Sequence, residues 1–276
     1  MARRNILPAL RRIDPIVATG VLLIVSLIAV AYAVPYSAID DANAHRESFV
    51  GPGKYWLGTD SLGRDVFRRV LAGARLDLPL ALGGMAVSLV LGVPLGLLAS
   101  QKSRWAERFM RGLDMFQAFP LLVIAIVLVA LAGNHLYMVI VAIAVINTPR
   151  FIRLIRSEAL SLRESRFVEA AVAIGATRLR VMFKHVLPNT TGTILVQASL
   201  TAAQSIVVIA ALAYLGVGIK PPKASWGAMI KDGSQGITTG QWWIAIFPGI
   251  AVFICVLLFN VIGDRLERVL SRGARG

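Results

Sequence analysis

Five long stretches of this chain, 15–39, 78–101, 115–149, 189–219 and 233–263, contain no Asp, Glu, Lys or Arg, and that alone leaves few folds open. A helix crossing about 30 Å of hydrocarbon needs about 20 apolar residues at 1.5 Å rise. Each stretch is long enough. The third is too long for one crossing, because its 35 residues would form a helix of about 52 Å. Gly133-Asn134-His135 interrupts it, so spans at 116–132 and 136–150 are expected, six in all. The expected fold class is an all-α membrane protein with six transmembrane helices.

Charge placement supports that division. The chain has 276 residues and a net charge of +14, yet only 16% of its residues are charged and its mean hydropathy is +0.70. A soluble domain carries roughly 25% charged residues, so the excess positive charge is not read as a nucleic-acid footprint. With six spans, segments 1–14, 102–111, 150–188 and 264–276 share one side and carry 4, 4, 8 and 4 Lys+Arg; segments 37–77 and 215–241 carry 6 and 3. The positive-inside rule then puts both termini in the cytoplasm. Arg3, Arg4, Arg11 and Arg12 before an apolar run ending in Ala31-Tyr32-Ala33 resemble a signal peptide. The run of about 20 apolar residues exceeds the 7–15 of such a peptide, so an uncleaved first helix is expected.

Several chemistries lack their residues. The Gly53-Lys54 pair is followed by Tyr55, so there is no phosphate-binding Gly-Lys-Ser/Thr loop. No nucleophile elbow or zinc-binding helix is present, and the five charge-free stretches hold no Asp, Glu, Lys or Arg that could serve a proton relay. Cys255 is the only cysteine and lies in an apolar run, which leaves no disulfide framework or cysteine metal site. No catalytic residue, metal ligand or cofactor site is therefore assigned, and His135 is read as a solvated turn residue.

The segment 150–188 is too long to be a plain connector. Glu158 to Ile174 reads as a helix closed by Gly175, and Thr177 to Val186 as a second helix that ends at Leu187-Pro188. With Arg166, Arg178, Arg180 and Lys184 around it, this unit either docks into a partner's groove or rests on anionic lipid. After it, Thr193, Gln197, Thr201, Gln204 and Ser205 fall at helical spacing on one face, which lines a pathway or binds a neighbouring helix. Gly92-x-x-x-Gly96 allows close helix approach, and Pro94 is a candidate kink. Asp60 to Leu78 alternates basic and apolar residues, as an outer-surface amphipathic helix or a solvated leader would. Trp226, Trp242 and Trp243 suit an interfacial aromatic belt beside the stiff Pro221-Pro222.

Glu169-Ala170-Ala171, Gly175 and Leu187-Pro188 resemble the EAA-x3-G-x9-I-x-LP signature of the permeases of ATP-binding-cassette importers. His185 stands at the position of the signature's Ile. Three further segments resemble the dipeptide, oligopeptide and nickel branch: Leu57-Gly58-Thr59-Asp60 with Gly63-Arg64-Asp65-Val66; Tyr214-Leu215-Gly216-x-Gly218 with Trp226-Gly227-Ala228-Met229; and Asn260-x-x-Gly263-Asp264-x-Leu266. The resemblance implies a type-1 permease fold in the bacterial inner membrane, with a cytoplasmic coupling helix. Its core would span 74–264, between an N-terminal portion 1–73 and a tail 265–276. It implies that Glu169, Ala170, Ala171, Gly175, Leu187 and Pro188 serve ATPase coupling and that ATP and Mg2+ bind partner ATPases. The implied partners are a second permease, two ATPases, an external substrate-binding protein and the lipid bilayer, without nucleic acid. Di- or oligopeptides are the expected cargo, with nickel, opines or another solute as the alternative and an uncoupled channel or scaffold as the remote one.

Overall fold

The computed structural model describes residues 14–35, 47–101, 103–163 and 165–272, so the arginines at 3, 4, 11 and 12 lie outside it. Ten α-helices appear among the described residues: α1 Pro15–Ala33, α2 Val66–Ala99, α3 Arg104–Gln117, α4 Leu121–Leu131, α5 Leu136–Arg163, α6 Arg166–Ala173, α7 Arg178–Val181, α8 Leu187–Tyr214, α9 Trp226–Ser234 and α10 Trp243–Arg272. Five of them, α1, α2, α5, α8 and α10, are long and apolar enough to cross a membrane, and α3 with α4 makes a sixth only as a pair bent by 85°. The span expected at 116–132 is thus broken. Pro120 occupies the N-cap of α4, and a residue before proline is disfavoured in the helical region, so the chain turns at Phe119-Pro120. The 11 residues of α4 reach only about 16 Å. The interruption expected at Gly133-Asn134-His135 is present, with φ +80° at Gly133 and +58° at Asn134.

Close approach of α2 and α5 organises the bundle. Gly84, Ser88, Gly92 and Gly96 recur every four residues along one side of α2 and are all buried. A Cβ on Gly96 would stand 2.8 Å from both the Ile152 carbonyl and the Ile155 Cβ, and one on Gly92 would stand 2.5 Å from the Phe151 Cβ. Small residues therefore let the two backbones nearly touch. The helix runs unbroken through Pro79 and Pro94. On the far side, Ser199 of α8 donates to the Phe259 carbonyl of α10 at 2.6 Å. Gly20 of α1 faces Ile262 of α10. The main core joins Leu78, Ile143, Ile206, Ile209, Trp226 and Phe259 from five helices.

The loop 150–188 is organised differently from the expectation. α5 continues past Pro149 to Arg163, so the expected helix Glu158–Ile174 falls on two helices, the end of α5 and α6 from Arg166. Charged residues end the apolar stretch without ending the helix, because their side chains are at ease in helical geometry once outside hydrocarbon. Nor does helix stop at Leu187-Pro188. α7 passes through a π-helical turn, Met182–Val186, directly into α8. Pro188 sits in the first turn of α8, where its missing N–H matters least, and the wider turn accommodates the ring.

Candidate functional site

At one end of the bundle, α6 and α7 form the expected helix-Gly-helix unit. Gly175 has φ +85°, and the Ala176 N–H donates to the Ala171 carbonyl at 3.0 Å. That six-to-one bond is a Schellman closure, which needs a left-handed residue at Gly175. No atom lies within 4 Å of a Cβ added there, so backbone conformation, not space, calls for glycine. Val168 is buried together with Val181, Met182 and Val186, and this cluster reaches Val93 and Leu97 of α2, Ile155 and Ala159 of α5, and Ile194 of α8. The loop is therefore seated on three long helices through one continuous apolar contact.

The remaining signature residues divide around that seat. Glu169 lies in the first turn of α6 with an exposed side chain, where a carboxylate complements the helix dipole. Ala171 is buried within the chain itself. Ile174, 87% exposed, projects at the tip. Leu187 is half-buried and Pro188 exposed at the start of α8. The side chains of Arg166, Ala170, Arg178 and His185 lie outside the described set.

Along α8 the polar residues separate. Thr193 donates to Glu158 of α5 at 3.4 Å, and Gln197 Nε2 donates to Thr201 Oγ1 at 3.2 Å. Thr201 and Ser205 are fully buried, the latter donating to the Thr201 carbonyl at 2.7 Å. Gln204 is exposed. Thr193, Gln197 and Gln204 thus keep the accessible side, while Thr201 and Ser205 turn into the core.

The opposite end is a cap built from residues 47–65, and here the outer-surface amphipathic helix is overturned. Arg64 and Arg69 are buried around Asp60, itself 3% exposed. Asp60 Oδ1 accepts the backbone N–H groups of Leu62 and Arg64 at 2.9 and 3.0 Å. Its Oδ2 accepts Arg64 Nε at 2.7 Å and stands 3.6 Å from Arg69 Nε. Arg64 also reaches Asp232, just beyond the middle of α9, at 3.7 Å. Asp65 caps α2 by accepting the Phe67 N–H at 2.9 Å. Trp243 donates to the Thr59 carbonyl at 3.1 Å, and a Cβ on Gly58 would collide with its ring. Thr59, Asp60, Arg64 and Asp65 of the Leu57–Val66 segment thus each have an internal partner.

The aromatic belt is likewise corrected: Trp226 is 1% exposed and Trp243 8%, leaving Trp242 at the surface. Trp226 Nε1 donates to the Val70 carbonyl at 2.8 Å, and Gly73 leaves room for its ring. Asp77 was not singled out by sequence reasoning. It lies inside α2, is 1% exposed, and accepts from Trp226 N at 2.8 Å and Ser225 Oγ at 3.2 Å. Its signal was position: an acid between Leu76 and Leu78, in helical phase with Gly73, Ala74 and Ala81. Among the described residues no His, Cys, Asp and Glu group is arranged to hold a metal.

A bundle of long apolar helices with an exposed helix-Gly-helix unit at one end and an ion-paired cap at the other defines a polytopic membrane transport subunit. The chain belongs to the family of binding-protein-dependent transport system inner membrane components, whose pattern matches residues 92–276. It is 38% identical over 256 residues to the dipeptide transport system permease protein DppC of Alkalihalophilus pseudofirmus, covering 91% of this chain and 84% of that one. It is 38% identical over 260 residues to the glutathione transport system permease protein GsiD of Pectobacterium atrosepticum, covering 92% and 86%. The fold is similar to that of the MetNI methionine ABC transporter in an inward-facing conformation, with TM-score 0.59, 18% identity and coverage of 74% of this chain and 95% of that one. The chain is accordingly a multi-pass permease component of an ABC importer.

Proposed function

We propose that the chain forms half of the translocation pathway for di- or oligopeptides and that the unit Arg166–Val186 couples it to a cytoplasmic ATPase. The observation that carries the reading is the seating of that unit. An exposed tip at Ile174 and Glu169 stands on an apolar contact shared with α2, α5 and α8, and α7 is continuous with α8. A push on the tip is transmitted through packed side chains, because a close-packed contact cannot yield by compression. The chain itself is non-catalytic in this account. ATP and Mg2+ are held by two ATPase subunits, a second permease completes the pathway, and a substrate-binding protein delivers cargo to the cap side. Both termini and α6–α7 face the cytoplasm, in keeping with the distribution of Lys and Arg. Peptide cargo is favoured by relatives named as dipeptide and glutathione permeases. ATP-driven uptake into proteoliposomes containing the whole complex, offered a labelled dipeptide or nickel, tests the reading. Accumulation of the dipeptide supports it; accumulation of nickel alone overturns the cargo.

A further inference from the structure

The bent pair leaves α3 with a surface that the importer reading does not use. Trp105, Phe109 and Phe116 of α3 fall on one side of the helix at 100° per residue, and Arg104, Glu107, Arg108 and Arg111 fall on the other. Ala106 is the only buried residue of the helix, whereas Trp105 is 55% exposed and stacks on Phe109 at 5.2 Å. The four charged residues are exposed. Phe109 and Phe116 are half-buried, so the apolar side is partly covered by the chain and opens to its surroundings at Trp105.

Two contacts fix its level. The helix begins directly after α2 ends, and its last turn is tied to α5 by an Asp114–Arg153 ion pair of 2.6 Å. Arg150, Arg153 and Arg156 mark where α5 becomes charged after its apolar portion. Beyond the bend, Leu122, Val123, Val127 and Leu131 of α4 are exposed apolar residues suited to lipid. Since α3 meets α4 at 85°, an α4 that enters the hydrocarbon leaves α3 lying across the membrane surface.

We infer that α3 is an interfacial helix that inserts Trp105, Phe109 and Phe116 among acyl chains and holds anionic lipid headgroups with Arg104, Arg108 and Arg111. Charge complementarity selects the occupant. Asp114 is engaged by Arg153, which leaves three arginines against Glu107 on the polar side, and a surface of lipid phosphates answers that excess. Long arginine side chains also reach headgroups while their stems cover apolar surface. The placement of this surface in the cytoplasmic leaflet rests on the proposed orientation; the insertion itself does not.

The test uses the full chain assembled with its partner subunits in nanodiscs of phosphatidylcholine with phosphatidylglycerol. Nitroxide labels are placed singly through Trp105→Cys, Phe109→Cys, Phe116→Cys, Glu107→Cys and Arg111→Cys, and collision with oxygen and with a water-soluble nickel chelate is measured. The expected result is a several-fold higher oxygen-to-nickel ratio at 105, 109 and 116 than at 107 and 111. Removing phosphatidylglycerol should lower the ratio at 105, and an Arg104→Gln, Arg108→Gln, Arg111→Gln background should abolish that lipid dependence. High nickel access at every position, or low access to both agents at 105, 109 and 116, overturns the inference; the second pattern means a protein partner covers the face. An unchanged lipid response in the triple-glutamine background overturns the headgroup contact. Labelling of Glu107→Cys by an impermeant thiol reagent in inside-out but not right-side-out vesicles tests the orientation separately.

Discussion

The carboxylate of Asp77 in α2 accepts the backbone N–H of Trp226, 149 residues further along the chain. Ser225, the N-cap of α9, has no side-chain cap of its own, so Asp77 supplies it from another helix. A buried donor that loses its acceptor costs about 1–3 kcal/mol. Asp77→Ala should therefore lower the thermal unfolding midpoint of the purified complex, and Asp77→Asn, which keeps an acceptor oxygen, should lower it less. Equal losses would show that capping is not its contribution.

Asp60 balances two buried guanidinium groups, and removing it takes the one buried carboxylate they share. Breaking a buried charge pair from one side costs about 3–5 kcal/mol. Asp60→Ala should sharply increase the protease sensitivity of segment 47–65 in intact vesicles. Arg68→Ala, whose side chain is half exposed, should not. Similar sensitivity in the two variants would contradict the buried network.

The α2–α5 contact should be intolerant of volume. Gly96→Leu forces a side chain into the Ile152 backbone and Ile155, a strain of about 1–3 kcal/mol or more for overpacking. Gly112→Leu, where nothing lies within 4 Å, should be neutral. Yield of folded complex by size-exclusion chromatography separates the two.

Local signals were legible in the sequence and tertiary pairings were not. Absence of charge located α1, α8 and α10, and Gly133-Asn134 marked its turn, because desolvation and left-handed backbone are local requirements. Gly175 was readable for the same reason. Residues 150–157 read as a connection because arginine was taken to end the helix, whereas it ends only the hydrocarbon. The alternation in Asp60–Leu78 resembled a wet amphipathic helix, since no pattern within that segment reveals that Asp60 lies beside Arg64 and Arg69. Trp226 looked interfacial for want of its partner: only the fold brings Gly73, Val70 and Asp77 around it. The α8 stripe was correctly spaced, yet its rotation against α10 and α2 decides which members face inward.

The proposed coupling is tested most directly by binding-protein-stimulated ATP hydrolysis, with uptake measured in parallel, in assembled complexes carrying Gly175→Asp or Glu169→Lys. A non-glycine residue at φ +85° costs about 1–2 kcal/mol locally, small enough to leave assembly intact while distorting the tip. The account predicts normal assembly with stimulation and peptide uptake both lost. Assembled variants that retain normal stimulation and uptake would contradict it.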